Sequence, residues 1–340
     1  MSWYNESGSM QDVVISTRVR FARNLEQYPF ASRLTDKDAG EIIEKVKAAL
    51  PEYRCEEFAS GSSHRREAAS YMEMHYVSPE FSESDRRRAL LTGENGHVQI
   101  MVCEEDHLRI QSIVAGFEPE KAFGYAAAAD DVLCDKLKIA YSEKYGYLTH
   151  CPTNLGAAMR VSAMLCLPAL TLGNSIGKCA GAMGKMGITI RGLYGEGSKA
   201  TGCLYQISNR ASLGMGEEEI IKMISDVVKN LVDSERKARK SLYSLNRTRI
   251  SDAIARRLGT LKSAYTLTSD EFTEAFSDLK LGCSLGLLTS LPDEKLSEML
   301  IAVQPATISL SREGLDDENA RDIARARLIR SFLSAVEFAY

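Results

Sequence analysis

The chain has 340 residues, of which 44% are hydrophobic and 26% charged, and its formal net charge is −4. This composition is typical of a globular protein with room for one large and one smaller domain, and it gives no reason to expect nucleic acid as a partner. No apolar run is long enough to span a bilayer and the first residues do not resemble a signal peptide, so we expect a cytoplasmic protein without a membrane partner. The eight cysteines form no CxxC pair, so neither a protein-bound metal site nor structural disulfides are expected.

The first predicted strand, from Asp12 to Asn24, carries Arg18 and Arg20 on one face, because strand residues two apart point the same way. Two adjacent guanidinium groups repel each other unless an anion lies between them, and their fork geometry matches phosphate oxygens. One interpretation is a polyphosphate clamp. The more ordinary one, for this pair alone, is a surface strand with two solvated cations.

The next segment alternates between helical and irregular patterns. Apolar spacing predicts an amphipathic helix from Thr35 to Leu50, and Arg54 to His64 is irregular and polar. Met72 to Pro79 resembles a helix ending at a turn, and Ser82 to Leu91 a further short helix. A lone histidine in such a turn, His75, is more often a structural hydrogen-bonding residue than a ligand.

Three adjacent carboxylates, Glu104, Glu105 and Asp106, interrupt the alternating apolar pattern of Val98 to Gln111. This pattern predicts two strands with the acidic residues at the turn between them. Unpaired carboxylates are costly to bury, so we expect a cationic group opposite them. The alternative is a solvated hairpin tip.

A long helix is predicted from Glu118 to Tyr145, and the loop from Gly146 to Gly156 is expected to begin another helix from Ala157 to Leu167. A helix N-terminus favours anions, and Arg160 could reach the same anion from its first turns. The same setting would favour a thiolate at Cys151.

The second half contains glycine-rich sequence, strands and then helices only. Gly173 to Gly187 lacks the spacing of a phosphate-binding P-loop, which excludes that motif. Further elements are predicted as strands at Ile188–Ile190 and Leu204–Asn209, a glycine-rich loop at Arg191–Gly197, a helix at Glu217–Leu242, and helices at about 246–262, 269–278, 292–303 and 317–338. The change from mixed strands and helices to helices only predicts one domain over residues 1–243 and a helical domain over residues 244–340.

The arginines and carboxylates predicted along the chain allow a chemical hypothesis. Arg321 and Arg325 lie one helical turn apart with Asp322 beside them, as on a solvated basic face or in a notch for a phosphorylated group. The arginines outside any P-loop could bind nucleotide phosphates through charge-assisted bonds. A carboxylate pair facing them would suit a guanidinium acceptor, which has to lose a proton during phosphoryl transfer. A guanidino kinase is consistent with these charges, although composition and spacing alone do not require one.

Six stretches, in family order, resemble the phosphagen (guanidino) kinases, and more closely the bacterial protein arginine kinase branch of that family. They are Ser16–Arg20, Cys103–Arg109, Cys151–Gly156, Arg191–Gly197, Leu204–Asn209 and Arg321–Ala326. The resemblance implies an α+β fold in which a mainly antiparallel sheet is flanked by helices and followed by a helical domain that mediates a homodimer. It also implies transfer of the γ-phosphoryl group of ATP, with Mg²⁺, to arginine side chains of proteins.

The resemblance assigns roles to individual residues. Glu105 would be the catalytic base, Glu196 a second carboxylate that grips the guanidinium group, and Cys151 a polarising thiol or thiolate beside the acceptor. Arg321, Asp322, Arg325 and Ala326 would form a regulatory phosphoarginine pocket. The residues expected around ATP are Ser16, Thr17, Arg18, Val19, Arg20, His75, Arg109, Arg160, Val161, Ser162, Ala163, Met164, Arg191, Gly192, Leu193, Tyr194, Gly195 and Glu196.

The resemblance also implies partners. About fifteen residues precede the first arginine strand, where the small-molecule kinases have a helical domain, so we expect an open acceptor side that suits arginines on protein substrates. The implied partners are a zinc-finger activator protein, a heat-shock repressor and a Clp-type unfoldase, which would link the chain to degradation and stress regulation.

The chain departs from the family at three places. Cys103 replaces the usual Asn, Ala157-Ala158 replaces the usual Thr-Gly, and Ser198-Lys199-Ala200 puts a cation where the loop often carries an acid. Two other functions therefore stay open: a non-catalytic phosphoarginine-binding adaptor, and a kinase for a small guanidino metabolite.

Overall fold

The computed structural model describes residues 2–59, 64–192, 201–311 and 314–339. Its strands are, in chain order, β1 (Val14–Arg23), β2 (Arg54–Phe58), β3 (Arg88–Thr92), β4 (Val98–Val102), β5 (Leu108–Ala115), β6 (Tyr141–Ser142), β7 (Gly146–Tyr147), β8 (Met159–Cys166), β9 (Ile188–Gly192), β10 (Leu204–Asn209), β11 (Leu288–Thr289) and β12 (Glu337–Phe338). Its α-helices are α1 (Asp36–Ala49), α2 (Arg65–Glu73), α3 (Pro79–Glu83), α4 (Pro119–Lys136), α5 (Pro168–Leu172), α6 (Ile176–Lys185), α7 (Glu217–Ser263), α8 (Ser269–Ser284), α9 (Asp293–Ala302), α10 (Pro305–Ser311) and α11 (Glu318–Phe332).

Eight strands form one antiparallel sheet in the order β2-β3-β4-β5-β1-β8-β10-β9. Alternation puts Val19, Ile110, Val161 and Ile207 on one face, where they are buried against α1, α4 and α7. The arginines between them therefore lie on the other face. This architecture confirms the predicted α+β fold with a mainly antiparallel sheet and flanking helices.

Some predicted elements were wrong. Ala157 to Leu167 is not a helix but contains the central strand β8, in which Arg160, Ser162 and Met164 alternate with buried Val161 and Ala163. Alanine, methionine and leucine favour helices, and this preference masked the alternation of polar and apolar residues with a period of two. The segment forms a strand because β1 and β10 on either side supply hydrogen-bond partners for its backbone. Three further differences are strand β2 in the segment expected to be irregular, strand β3 where a helix was expected, and α4 ending at Lys136 before the β6–β7 hairpin.

The C-terminal part is helical apart from the short β11–β12 pair, as far as the described residues show. Helix α7 has one non-helical residue, Asn246, beyond which Ile254 packs in a second core with Phe272, Leu296 and Ile329. The predicted domain boundary between residues 243 and 244 lies beside this kink and stays a prediction. Among the described residues, no helix combines the length and the apolar character that a membrane span requires.

A buried ion pair ties α7 to the sheet. Glu235 is fully buried, and its carboxylate accepts hydrogen bonds from the N–H groups of Ala169 (3.0 Å) and Leu170 (2.9 Å) and from Nε of Arg239 (2.8 Å). Arg239 also donates to the carbonyl of Cys166, at the end of β8, over 3.1 Å. One carboxylate thus satisfies both the start of α5 and a buried cation.

We expect Glu235→Ala to lower the free energy of unfolding by about 3–5 kcal/mol, because it leaves the Arg239 charge buried without a counter-ion and two buried N–H groups without an acceptor. Urea denaturation measures this change. Asp252→Ala is the control, because it breaks a pair with Arg256 whose two side chains are 58% and 78% exposed, and it should cost less than about 1 kcal/mol. Equal losses in the two variants would contradict this account.

Candidate active site

A cavity of about 560 Å³ opens on the polar face of the sheet. Its floor is formed by β1, β5, β8, β9 and β10, and its walls by the segment after α2 and by α9. The residues predicted around ATP that line it are Ser16, Arg18, Arg20, His75, Arg109, Arg160, Ser162, Met164, Arg191 and Gly192. Thr17, Val19, Val161 and Ala163 are buried on alternate positions of the same strands, behind this face. Leu193, Tyr194, Gly195 and Glu196 lie outside the described residues.

Strand register brings the arginines together. Arg20 of β1 lies opposite Arg160 of β8, and two residues back Arg18 lies opposite Ser162. On the other side of β1, Arg109 of β5 lies opposite Ala22. Arg160 therefore reaches the cavity from a strand, and the expected helix N-terminus beside it does not exist.

The arginines raise one another's free energy. Burial, together with the charges of Arg109 and Arg160, lowers the pKa of Arg18 to about 10. Burial and the nearby Arg18 hold the pKa of Arg20 well below its usual range, and burial and Arg191 lower the pKa of Arg160. Within the described residues, Nε of Arg20 is buried without a hydrogen-bond partner. A polyanion in the cavity would relieve both the repulsion and this unsatisfied donor.

His75 lies beside the arginines in a left-handed backbone conformation with a φ of 64°. Burial and the charge of Arg18 lower its pKa to about 4, so the imidazole is neutral near pH 7. Its presence adds no further positive charge to the cavity.

The three adjacent carboxylates have separate roles, and Glu104 pairs with the cation expected opposite them. Its carboxylate accepts hydrogen bonds from Nη1 of Arg109 (2.7 and 2.9 Å) and from Oγ of Ser78 (2.6 Å). Burial alone would raise the pKa of Glu104, but Arg109 and Ser78 outweigh burial and lower it. Glu104 is therefore an ionised positioning group for Arg109.

Asp106 is buried and holds a loop in place. Its Oδ1 accepts hydrogen bonds from Nδ2 of Asn24 and from the backbone N–H of His150, both over 2.7 Å. The second bond fixes the loop that carries Cys151 against the acidic turn. The Sγ atom of Cys151 lies 3.1 Å from Oγ1 of Thr153. Glu105 and Cys151 both lie close enough to Arg160 to favour the charged form of its guanidinium group.

Glu105 is the carboxylate left available for chemistry. Its side chain is 38% exposed and lies 3.9 Å from Nη1 of Arg109. Burial raises its pKa despite Arg109, and Asp106 and Glu104 raise it further. A carboxylate with a raised pKa at the edge of an arginine-lined cavity can accept a proton from a ligand bound there.

Several residues that build this site were not predicted. Buried His107 accepts the N–H of Leu25 at Nδ1 (3.0 Å), so its Nε2 carries the proton that bonds the carbonyl of Pro29 (2.7 Å). This bond holds the segment whose next residue, Phe30, packs edge-on against His150 at 5.8 Å. Ser78 caps α3 ahead of Pro79, which is the one local signal that could have identified it.

The predicted phosphoarginine motif lies on α11. Arg325 is buried and donates from Nε to the carbonyl of Val303 (2.6 Å) and from Nη1 to the carbonyl of Leu267 (2.7 Å) and to Asp322. Arg321 donates to the carbonyl of Asp316 over 2.7 Å, and Ala326 packs in the second core. A regulatory site at this motif stays a prediction.

Comparisons with known proteins agree with this arrangement. Residues 40–238 match the family model described as ATP:guanido phosphotransferase, C-terminal catalytic domain, and residues 247–339 match the one described as protein-arginine kinase McsB C-terminal domain. Proteins named protein-arginine kinase are similar along almost the whole chain. The one from Symbiobacterium thermophilum is 37% identical over 340 residues, covering 98% of this chain and 96% of its own length, and the one from Clostridium acetobutylicum is 36% identical, covering 98% and 99%.

Solved structures show the same fold. The duplicated taurocyamine kinase from Schistosoma mansoni with bound transition state analogue components superposes with a TM-score of 0.57 at 26% identity, over 69% of this chain and 34% of that one. This chain therefore spans about a third of that protein. A lombricine kinase superposes with a TM-score of 0.56 at 22% identity, over 68% of this chain and 70% of that one.

Sheet, cavity and matched residues together define the class of ATP:guanido phosphotransferases. Within that class, the chain belongs to the family of protein-arginine kinases. This confirms the resemblance that the six sequence stretches indicated.

We expect Arg20→Met to raise the free energy of unfolding of the ligand-free protein by on the order of 1 kcal/mol, because it removes a guanidinium that Arg18, Arg109 and Arg160 repel. The same variant should lose the stabilisation that inorganic tripolyphosphate gives the unmodified protein. Thermal unfolding with and without tripolyphosphate measures both effects. The control is Arg54→Met in β2, an arginine whose side chain is 78% exposed, which should change neither. A less stable Arg20→Met protein would contradict the repulsion account.

Proposed function

We propose that this chain transfers the γ-phosphoryl group of ATP to the guanidinium group of arginine side chains in protein substrates. The observation that carries the proposal is that one half-exposed carboxylate with a raised pKa, Glu105, lies at the edge of a cavity whose arginines repel one another. The cavity suits a polyphosphate, and Glu105 suits an acceptor that has to give up a proton.

The phosphate side of the reaction would use the arginines of the central strands. Arg18, Arg20 and Arg160 would hold the phosphates by charge-assisted hydrogen bonds, and Arg109, positioned by Glu104, would hold the end nearest Glu105. These contacts neutralise charge on the transferred group without a P-loop.

Mg²⁺ would bind with the nucleotide and offset phosphate charge. Within the described ranges, no three His, Cys, Asp or Glu side chains are grouped closely enough to hold a metal ion, and Glu104 is already bonded to Arg109 and Ser78. This fits the usual behaviour of Mg²⁺, which rests largely on substrate phosphates and water.

The acceptor side would use the acidic turn and the Cys151 loop. A guanidinium stays protonated near neutral pH and has no free nucleophilic lone pair, so its nitrogen needs a base as transfer proceeds. Glu105 would take this proton, Cys151 would lie beside the acceptor, and Glu196 would be the second carboxylate that aligns the guanidinium fork.

The proposal extends to regulation and partners. The arginine motif on α11 would bind phosphoarginine, and the helical domain predicted over residues 244–340 would contribute to a homodimer. The zinc-finger activator, the heat-shock repressor, a Clp-type unfoldase and a cytoplasmic location, all implied by the resemblance, belong to the same proposal.

We expect Glu105→Gln to lower the rate of phosphoarginine formation at least about 10²-fold, because the amide cannot accept the proton. The assay incubates the full chain with Mg-ATP and an arginine-rich unfolded protein, followed by mass spectrometry under neutral conditions that preserve phosphoarginine. Glu94→Gln is the matched control, because Glu94 is exposed in the turn between β3 and β4, and it should keep full activity.

Two outcomes of this assay favour the other functions. If the unmodified chain forms no phosphoarginine, even with an activator protein, yet binds a phosphoarginine peptide through Arg321 and Arg325, it is an adaptor. Saturable phosphorylation of free arginine, faster than that of the unfolded protein, would indicate a small-molecule guanidino kinase.

The rate should also depend on pH through Glu105. Only the ionised carboxylate acts as a base, and its pKa is raised above the ordinary 4.5, so activity should fall as the pH drops through this raised value. The measurement is kcat from about pH 8 down to about pH 4, with circular dichroism to confirm that the protein stays folded. An acid limb at or below the ordinary carboxyl pKa would contradict the assignment.

A further inference from the structure

The acidic turn between β4 and β5 carries Glu105 in its middle. Within the turn, the N–H of Cys103 donates to the carbonyl of His107 over 2.9 Å, and the N–H of Glu104 donates to the carbonyl of Asp106 over 3.2 Å. These two bonds give the turn its shape, but they join the turn only to itself. Contacts with other segments have to fix where Glu105 lies relative to a bound acceptor.

The side chain of Asn24, directly after β1, makes two such contacts. Asn24 is buried, and its Oδ1 accepts the backbone N–H of His107 over 2.9 Å. Its Nδ2 donates to Oδ1 of Asp106 over 2.7 Å. One amide therefore binds both of the residues that follow Glu105, and the turn cannot shift relative to β1 without breaking one of these bonds.

The same amide also reaches the segment that leads to Cys151. Nδ2 of Asn24 donates to the carbonyl of Leu148 over 3.0 Å, three residues before Cys151. The backbone carbonyl of Asn24 accepts the N–H of Ala140 over 2.7 Å, and the carbonyl of Ala140 accepts the N–H of Leu148 over 3.0 Å. Asn24 therefore joins three segments, which are the end of β1, the acidic turn and the approach to Cys151.

We propose that Asn24 is a positioning residue for phosphoryl transfer, and that it holds Glu105 and the Cys151 loop at one fixed spacing. The inference rests on the proposed function, in which Glu105 takes a proton from the acceptor and Cys151 lies beside the acceptor. A base has to lie within hydrogen-bond reach of the proton that it removes, and a small displacement of reacting groups costs much of the rate. Asn24 is not one of the residues that line the cavity, so it acts through Glu105 and the Cys151 loop.

The chemistry of the three partners requires an asparagine amide at this position. The N–H of His107 needs an acceptor, whereas the carboxylate of Asp106 and the carbonyl of Leu148 need donors. An asparagine amide has one acceptor oxygen and two donor hydrogens, and these bonds fix which way it is turned. An aspartate would place a second carboxyl group against Asp106, and an alanine would leave buried polar groups without partners.

Asn209 offers a matched comparison, because it makes the same set of bonds elsewhere. It is as buried as Asn24 and lies at the end of β10. Its Oδ1 accepts the N–H of Val161 over 2.9 Å, and its Nδ2 donates to the carbonyls of Met159 (3.0 Å) and Ala211 (3.2 Å). These partners belong to β8 and to the segment after β10, so Asn209 has the same structural role without a bond to the acidic turn.

The test is a double-mutant cycle on the full chain with Mg-ATP and the arginine-rich unfolded protein. Asn24→Ala and Asn209→Ala are each made in the unmodified protein and in Glu105→Gln. We expect Asn24→Ala alone to lower kcat about 10- to 100-fold, with the KM for ATP changed by less than about twofold, because the arginines of the strands stay in place. In Glu105→Gln, the same change should lower the residual rate by less than about threefold, because the base that Asn24 positions is already gone.

The control distinguishes positioning from a general loss of structure. Asn209→Ala should change the rate by the same factor with and without the carboxylate of Glu105, because a merely structural effect does not depend on the base. Circular dichroism confirms that each variant is folded. If Asn24→Ala does not fold, Asn24→Ser replaces it in the cycle, because a hydroxyl can still bond one of the partners.

A second measurement does not depend on turnover. The rate at which iodoacetamide alkylates Cys151, followed by mass spectrometry of the intact loop peptide, should rise about threefold or more in Asn24→Ala and stay unchanged in Asn209→Ala, because only the first variant frees the approach to Cys151.

The inference is overturned if the Asn24 variant keeps kcat, if it loses the same factor in both backgrounds, or if Cys151 is alkylated at the original rate. An unmodified protein that forms no phosphoarginine would instead overturn the proposed function, and this inference with it.

Discussion

Repulsion among arginines is the constraint on which the rest of the structure depends. Arg18, Arg20, Arg109 and Arg160 lie on one face of three adjacent strands, β5, β1 and β8. Among the described carboxylates only Glu104 hydrogen-bonds to any of them, and Arg160 also donates to the hydroxyl of Ser208. No fold gains stability from this arrangement by itself. The opposite, apolar face of the sheet packs on α1, α4 and α7, and this packing fixes a strand register in which the arginines stay close together. A bound polyanion would relieve the repulsion among them, and this relief would contribute to its affinity for the cavity.

The acidic turn shows how three neighbouring residues of like charge acquire different chemistry. Glu104 hydrogen-bonds to Arg109, and Asp106 hydrogen-bonds to Asn24 and the backbone of His150. These two carboxylates are therefore occupied, and their negative charge beside Glu105 raises its pKa and makes it a better proton acceptor. Replacing either neighbour would therefore alter the base without touching it.

Sequence reasoning recovered the parts that depend on local pattern. The hairpin of β4 and β5, the arginine strand β1 and the helical C-terminal part all follow from periodicity, and Arg18 and Arg20 lie together for the reason given by alternation. What it missed depends on distant partners: β8 is a strand because β1 and β10 flank it, and Asp106 is a loop anchor because Asn24 lies opposite. Backbone angles were equally hidden. Cys103 and Ala158 have φ values of 63° and 51°, in the left-handed region that favours the Asn and Gly usual in the family.

The helical region and the cavity share one set of bonds. Arg325, in the predicted phosphoarginine motif, holds the carbonyl of Val303 just after α9, and α9 forms a wall of the cavity. Glu73, at the end of α2, caps the start of α10 through the N–H groups of Ala306 and Thr307. The chain continues from α2 through His75 to Ser78, whose hydroxyl donates to Glu104. A phosphate that bound Arg325 would have to use its remaining donors or displace a carbonyl it now holds. Binding at the motif would therefore alter the wall formed by α9 only if the phosphate displaced the carbonyl of Val303 from Arg325.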